Sequence, residues 1–435
     1  MKDLTTGHEG RIILKFALPM LAGNVFQQLY NVVDSIVIGH FVGKEALAAV
    51  GAAFPLIFVL VAFVIGIGMG FSIVLSQFFG AKKTGQVIQT IDTMWVFLFW
   101  AGLFITIAGI LLSRPILRLT GLPEEVLPMA VEYLHIYLAG TLLFFGFNGM
   151  TSVLRGLGDS KTPLYFLILS TFINIGLDLL FVVVFGWGIR GVAFATVIAQ
   201  GGAFFTMVFW LNRYHKLVEL RWRLYSFNRE IFRKSLSIGL PTGFQQTFVS
   251  LGMIAIFSIV NRFGTNAVAA FSAAGRIDSF AMMPAMNFAA ALSSFAGQNI
   301  GAGKQDRVRK GMWATMYMTL AVSVAFTLLA WTGGRQLMMI FTTDARVIEI
   351  GVEYLRIVSS FYIFFSAMFT LNGVMRGAGD TLIPMFITLL SLWLVRIPLS
   401  YGLSEVFGTT GIWWGIPLAW FSGASFTYIF FLKGK

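Results

Sequence analysis

The chain has 435 residues, of which 57% are hydrophobic and only 11% charged, with a mean hydropathy of +0.82 and a net charge of +12. About a quarter of the residues of an average soluble domain are charged, so this composition excludes a soluble fold. The absence of cysteine excludes disulfides and thiolate metal sites.

Apolar runs long enough to cross a hydrocarbon core of about 30 Å recur along the chain, without the apolar-polar alternation of an outer-membrane barrel. They predict six helices at 13–39, 46–78, 88–112, 126–153, 163–185 and 191–211, and six more at 236–261, 267–296, 311–332, 350–375, 383–403 and 411–432. The first ten residues are polar and no short apolar stretch with a small-residue cleavage site follows them, so the first span is expected to stay in the mature protein.

Span 1 contains Pro19, then Asn24, Gln27, Gln28 and Asn31, then Asp34. Proline removes a backbone donor and predicts a bend in the helix. The acid is the more telling residue, because an ionised side chain at the bilayer centre costs about 2.5 to 3.5 kcal/mol. Span 5 carries a second such acid, Asp178, with Asn174 four residues before it, and span 6 carries Thr196. Asn31 and Asn174 each share a helix face with their acid. Burial disfavours carboxylate ionisation, and a second carboxylate close by disfavours it further. Asp34, Asn174, Asp178 and Thr196 therefore suit a proton or Na⁺ site, with helix-packing hydrogen bonds, or solvation of Asp34 at the outer interface, as the plainer reading. No other metal site is expected, and no cofactor.

Residues 212–235 mix Arg and Lys with Trp222, Tyr225 and Phe227, which predicts an amphipathic linker on the cytoplasmic face. Span 7 then has Pro241, Gln245, Gln246 and Met253, and span 8 has Arg276, Asp278, Met282 and Met286. Asn24, Gln27, Asn31, Gln245 and Gln246 would face a cleft between lobes, or else bond across helices. Met253, Met282 and Met286 would supply it with an adaptable apolar wall, or serve as ordinary packing residues. Arg396 stands alone in span 11.

The chain also repeats itself. Gln77-Phe78-Phe79-Gly80-Ala81-Lys82-Lys83 returns as Gln298-Asn299-Ile300-Gly301-Ala302-Gly303-Lys304, and Arg155-Gly156-Leu157-Gly158-Asp159 as Arg376-Gly377-Ala378-Gly379-Asp380, both with an offset of 221 residues. Six spans is an even number, so both copies share one orientation, which makes them parallel repeats. The positions equivalent to Asp34 and Asp178 are Ala255 and Leu399, so coupling chemistry is expected in the first copy alone. The reading is an all-α membrane protein with twelve transmembrane helices in two parallel-repeat six-helix bundles: residues 1–212 as the N-terminal lobe, 213–235 as the cytoplasmic linker, and 236–435 as the C-terminal lobe.

Most of the 31 Lys and Arg fall in segments on one side of these spans. By the positive-inside rule that side, with both termini, is cytoplasmic, so the basic excess reflects topology and no nucleic-acid partner is expected. The expected setting is the bacterial inner membrane, with the protein a monomer contacting lipid. The glycine-rich turns lack a preceding strand and a Gly-x-x-x-x-Gly-Lys motif, which argues against nucleotide binding. His8, His40, His135 and His215 are scattered, so a membrane-embedded enzyme is not expected.

The recurring turns, with Pro19, Asp34, Asn174, Asp178 and Thr196, resemble the multidrug and toxic compound extrusion (MATE) transporters, over all twelve spans. The one-sided acid pair looks like the DinF-like branch, whose corresponding side chains hold H⁺ or Na⁺ and whose proline marks a bend in helix 1. Residues 240–250 lack the helix-7 acid of the NorM-like branch. The resemblance implies a secondary antiporter that exports amphipathic, often cationic, compounds by alternating access. A lipid-linked oligosaccharide flippase is the alternative from a related family, but it would favour a cleft rich in Arg and Lys.

Overall fold

The computed structural model describes residues 2–119, 122–215 and 225–433, and among them it is helical with no strand. The centre of the predicted linker, 216–224 with Trp222 and its cations, lies outside the described residues. Helix α1 (Glu9–Val37) runs into a π-helical turn at Ile38–Val42, and α2 (Lys44–Gly80), α3 (Thr84–Leu119), α4 (Leu127–Ala139) and α5 (Thr141–Gly156) follow. Next come α6 (Lys161–Asp178) with a π-helical turn at Leu179–Val184, then α7 (Gly188–Tyr214), α8 (Arg229–Asn261), α9 (Thr265–Gly301) and α10 (Gln305–Met339). The last elements are α11 (Ala345–Ser359), α12 (Tyr362–Ala378), α13 (Leu382–Leu389), a π-helical turn at Leu390–Arg396, α14 (Ile397–Phe407) and α15 (Thr409–Lys433).

Among the described residues ten spans are single runs of helix, and the pairs α4–α5 and α11–α12 are bent by 51° and 48°. Counting each pair as one span gives the twelve read from the sequence. The bends occur at equivalent places in the repeat and carry the same remedy. A broken helix frees carbonyls that lipid cannot satisfy, and a threonine on the neighbouring helix supplies a donor. Thr106 Oγ1 of α3 donates to Leu138 O at 3.0 Å, and its repeat counterpart Thr327 Oγ1 of α10 donates to Ser359 O at 2.6 Å. Pro19 and Pro241 lie inside α1 and α8, which continue through them.

The chain forms two compact units. The first holds Pro19–Ser237 with Lys2, and the second Asp3–Leu18 with Ile238–Lys435. Asp3–Leu18, which the sequence reading assigns to the N-terminal lobe, thus belongs to the second unit. The repeated turn motif explains this. Leu4 N donates to Gln298 Oε1 at 3.0 Å, Asn299 Nδ2 to Leu4 O at 3.2 Å, and Lys304 Nζ to Thr5 O at 2.9 Å, while Arg307 pairs with Glu9 at 3.0 Å. In the first unit the equivalent Gln77 Oε1 accepts from Lys234 Nζ at 3.2 Å.

Within the first unit α2, α3 and α5 enclose a core around Met94, Leu98, Met150 and Leu154, and α4 and α7 pack on a second core around Leu117, Leu134 and Val192. The second unit is built on α9, the most buried of its single-helix spans among the described residues, and its core includes Phe271, Tyr354, Tyr362 and Trp413. Small residues let backbones meet there. A Cβ at Gly377 would lie 2.5 Å from Ser293 O, and one at its counterpart Gly156 would lie 2.7 Å from Ser72 O. Gly377→Ala is therefore expected to cost about 1 to 3 kcal/mol through overpacking against a main chain that cannot rotate away. Thermal unfolding of the purified protein in detergent checks it, with Gly402→Ala, which meets no atom within 4 Å, as the control.

One turn differs between repeats. Lys82 adopts φ +58°, where the second repeat has Gly303 at φ +71°. A side chain in this left-handed region costs roughly 1 to 2 kcal/mol, so Lys82→Gly is expected to raise the melting temperature. An unchanged or lower value would show that the Lys82 side chain compensates for its own strain.

Candidate functional site

Asp34 and Tyr30 are one turn apart on α1, Asn174 and Asp178 are one turn apart on α6, and Thr196 lies on α7. The packing of α7 on α6, and of both π-helical turns on α7 and on each other, brings these side chains together inside the first unit. The Asn174 amide, oriented with its nitrogen toward the acids because the opposite orientation sets its oxygen against acceptors only, donates to Asp34 Oδ1 at 3.0 Å and to Asp178 Oδ2 at 3.2 Å. Tyr30 donates to Thr196 Oγ1 at 3.0 Å and lies beside Asp34.

Asn174 and Asp178 are fully buried, Thr196 nearly so, and Asp34 is half-buried. Asp178 Oδ1 has no hydrogen-bond partner among the described residues. Two carboxylates joined by one amide, with hydroxyls alongside and one free carboxylate oxygen, form a set of hard oxygen donors. Such a set matches a proton or Na⁺. No group of three or more His, Asp or Glu that would hold a metal ion occurs among the described residues.

Both acids sit next to helical irregularities. Asp178 is the last residue of α6 before the π-helical turn Leu179–Val184, and the turn Ile38–Val42 begins four residues after Asp34. A π-turn widens the helix and re-aims the side chains around it, and such turns are frequent at functional sites. Sequence reading missed Tyr30, which is buried and bonded to Thr196. For Tyr30 a signal was present, since it precedes Asp34 by four residues on the same helix face.

The remaining sequence candidates are dispersed. Asn24 and Asn31 are exposed on α1 and Gln27 is half-buried there; the side chain of Asn31 makes no hydrogen bond to Asp34 among the described residues. Gln245 is 5% exposed and committed elsewhere, accepting from Arg376 Nη2 at 2.8 Å and donating to Thr388 Oγ1 at 2.6 Å. To bind a substrate it would have to leave both bonds. Gln246 is half-buried, Met253 and Met286 are both 42% exposed, and Met282 packs against the core of the second unit.

A further polar cluster occupies the second unit. Asp278, 5% exposed on α9, accepts from Tyr354 of α11 on Oδ2 at 2.8 Å and from Tyr362 of α12 on Oδ1. One carboxylate thus ties together the two halves of a bent span. Arg276, two residues before it, is exposed.

Comparison with known proteins agrees with this architecture. The MatE family model matches residues 19–180 and again 241–402, one match per repeat. A probable multidrug resistance protein of Bacillus subtilis, YpnP, is 33% identical over 100% of this chain and 97% of its own length. A probable multidrug resistance protein NorM of Thermotoga maritima is 28% identical over 97% of this chain and 92% of its own. Among solved structures, the outward-facing conformation of a multidrug resistance MATE family transporter superimposes with a TM-score of 0.93 at 24% identity, covering 100% of this chain and 98% of that one, and so shares its fold. The chain is a multi-pass membrane transporter. It belongs to the MatE family.

Proposed function

We propose that this transporter exports amphipathic, chiefly cationic, organic compounds in exchange for H⁺ or Na⁺, by alternating access, and that Asp34, Asn174, Asp178 and Thr196 form the coupling site. The observation that carries the reading is the Asn174 amide bonded to both carboxylates. An antiporter needs one site at which ion and solute disfavour each other. Occupation of the acid pair by a proton or Na⁺ cancels the negative charge that would attract a cationic solute, so the two ligands oppose each other without direct contact. Relatives named as multidrug resistance proteins support the same direction of transport. The setting that fits is the bacterial inner membrane, with both termini cytoplasmic.

The test is dye efflux by everted membrane vesicles containing the protein. An imposed H⁺ or Na⁺ gradient should drive dye movement, and collapsing that gradient with an ionophore should stop it. Dye movement indifferent to both gradients would refute ion coupling.

A further inference from the structure

Arg396 ends the π-helical turn Leu390–Arg396, near the middle of the span Leu382–Phe407. A guanidinium at that depth needs anionic partners or water. A buried carboxylate, Asp278, lies in the same unit. Yet both Asp278 oxygens are taken by tyrosine hydroxyls, and Asp278, Tyr354 and Tyr362 are sealed at 5%, 3% and 3% exposure. Among the described residues Arg396 makes a single hydrogen bond, from Nη1 to Met253 Sδ at 3.6 Å, and its Nε is buried without an acceptor. A thioether is a weak acceptor, so most of the guanidinium's five donors are uncommitted.

Arg396 is half-buried, Met253 is 42% exposed, and Phe257, on the same face of α8 as Met253, is 38% exposed. Unpaired guanidinium donors do not face hydrocarbon, and at mid-span they lie beyond the reach of lipid headgroups at either surface. We infer that Arg396 is a binding point, within the second unit, for the anionic group of an amphipathic solute, a carboxylate or sulfonate held by two parallel N–H donors. Met253 and Phe257 support the apolar body of that solute. The inference goes beyond the acid pair of the first unit and does not depend on it.

The experiment is equilibrium fluorescence titration of the purified protein in detergent, without any ion gradient, using dansyl-glycine and its uncharged methyl ester. Wild type should bind the acid about tenfold more tightly than the ester. Arg396→Gln should erase the preference, and Arg396→Lys should keep part of it. Met253→Glu, which places a carboxylate against the guanidinium, should abolish acid binding even if Arg396→Gln fails to fold. Asp178→Asn should leave the preference intact, which separates this site from the proposed coupling site. Equal affinity for acid and ester in wild type, or a preference that survives Arg396→Gln, would overturn the inference. So would displacement of dansyl-glycine by added phosphatidylglycerol but not by a free aromatic carboxylate, because the site would then belong to lipid headgroups.

Discussion

Replacing Asp178 with asparagine is expected to abolish gradient-driven efflux while leaving the fold intact. Asparagine is nearly isosteric, and its amide oxygen still accepts from Asn174, so the buried hydrogen bond at 3.2 Å has a substitute. What disappears is the only fully buried negative charge of the set. For a monovalent cationic dye exchanged one for one, no net charge crosses and the ion's own gradient drives accumulation, about tenfold (about 1.4 kcal/mol) for each tenfold ion gradient. For an uncharged dye the membrane potential adds about 2.3 kcal/mol per 100 mV. Without a group to carry the ion, the gradient-driven ratio should fall to one. Dye accumulation in everted vesicles checks this, with Asp34→Asn as a second variant expected to behave alike. Full gradient-driven accumulation by Asp178→Asn would remove the chemical basis of the proposed exchange.

Asp278→Ala is expected to be the most destabilising of the substitutions considered, by about 2 to 6 kcal/mol, since two buried donors are left unsatisfied. It strips two buried phenols of their acceptor. Because Tyr354 and Tyr362 stand on either side of the 48° bend, the loss should concentrate there. Hydrogen exchange should rise around 354–362 more than elsewhere in the second unit, and the melting temperature should drop. Asp278→Asn should lose less, since one oxygen remains to accept a phenol. Arg276→Ala, at an exposed position, should change stability by no more than about 0.5 kcal/mol. Equal effects at 276 and 278 would show that the carboxylate is not a tie between the two helix halves.

The two acids of the first unit and the acid of the second show how differently such sites read in a sequence. Asp34 and Asp178 announce themselves because each is costly in an apolar span and each has an amide three or four residues away. Asp278 is as costly, but its partners come from helices much later in the chain, and its sequence neighbour Arg276 points elsewhere. Asn31 and Asn174 looked equivalent by spacing. Only Asn174 bonds to an acid among the described residues, because Asn31 lies on the exposed side of α1. Gln245 was legible as a polar group in a span but not as a partner of Arg376.

By itself the sequence determined the membrane class, the number of spans, the parallel repeat and the restriction of the Asp34 and Asp178 pair to the first copy. These are matters of composition, run length and self-similarity, all of which are local or countable. Tertiary structure alone decided that Asn174 reaches both carboxylates, that α4–α5 and α11–α12 bend over matching threonines, and that Asp3–Leu18 packs with the second unit. Helical periodicity assigns a residue to a face, but which helix meets that face depends on packing across the whole bundle.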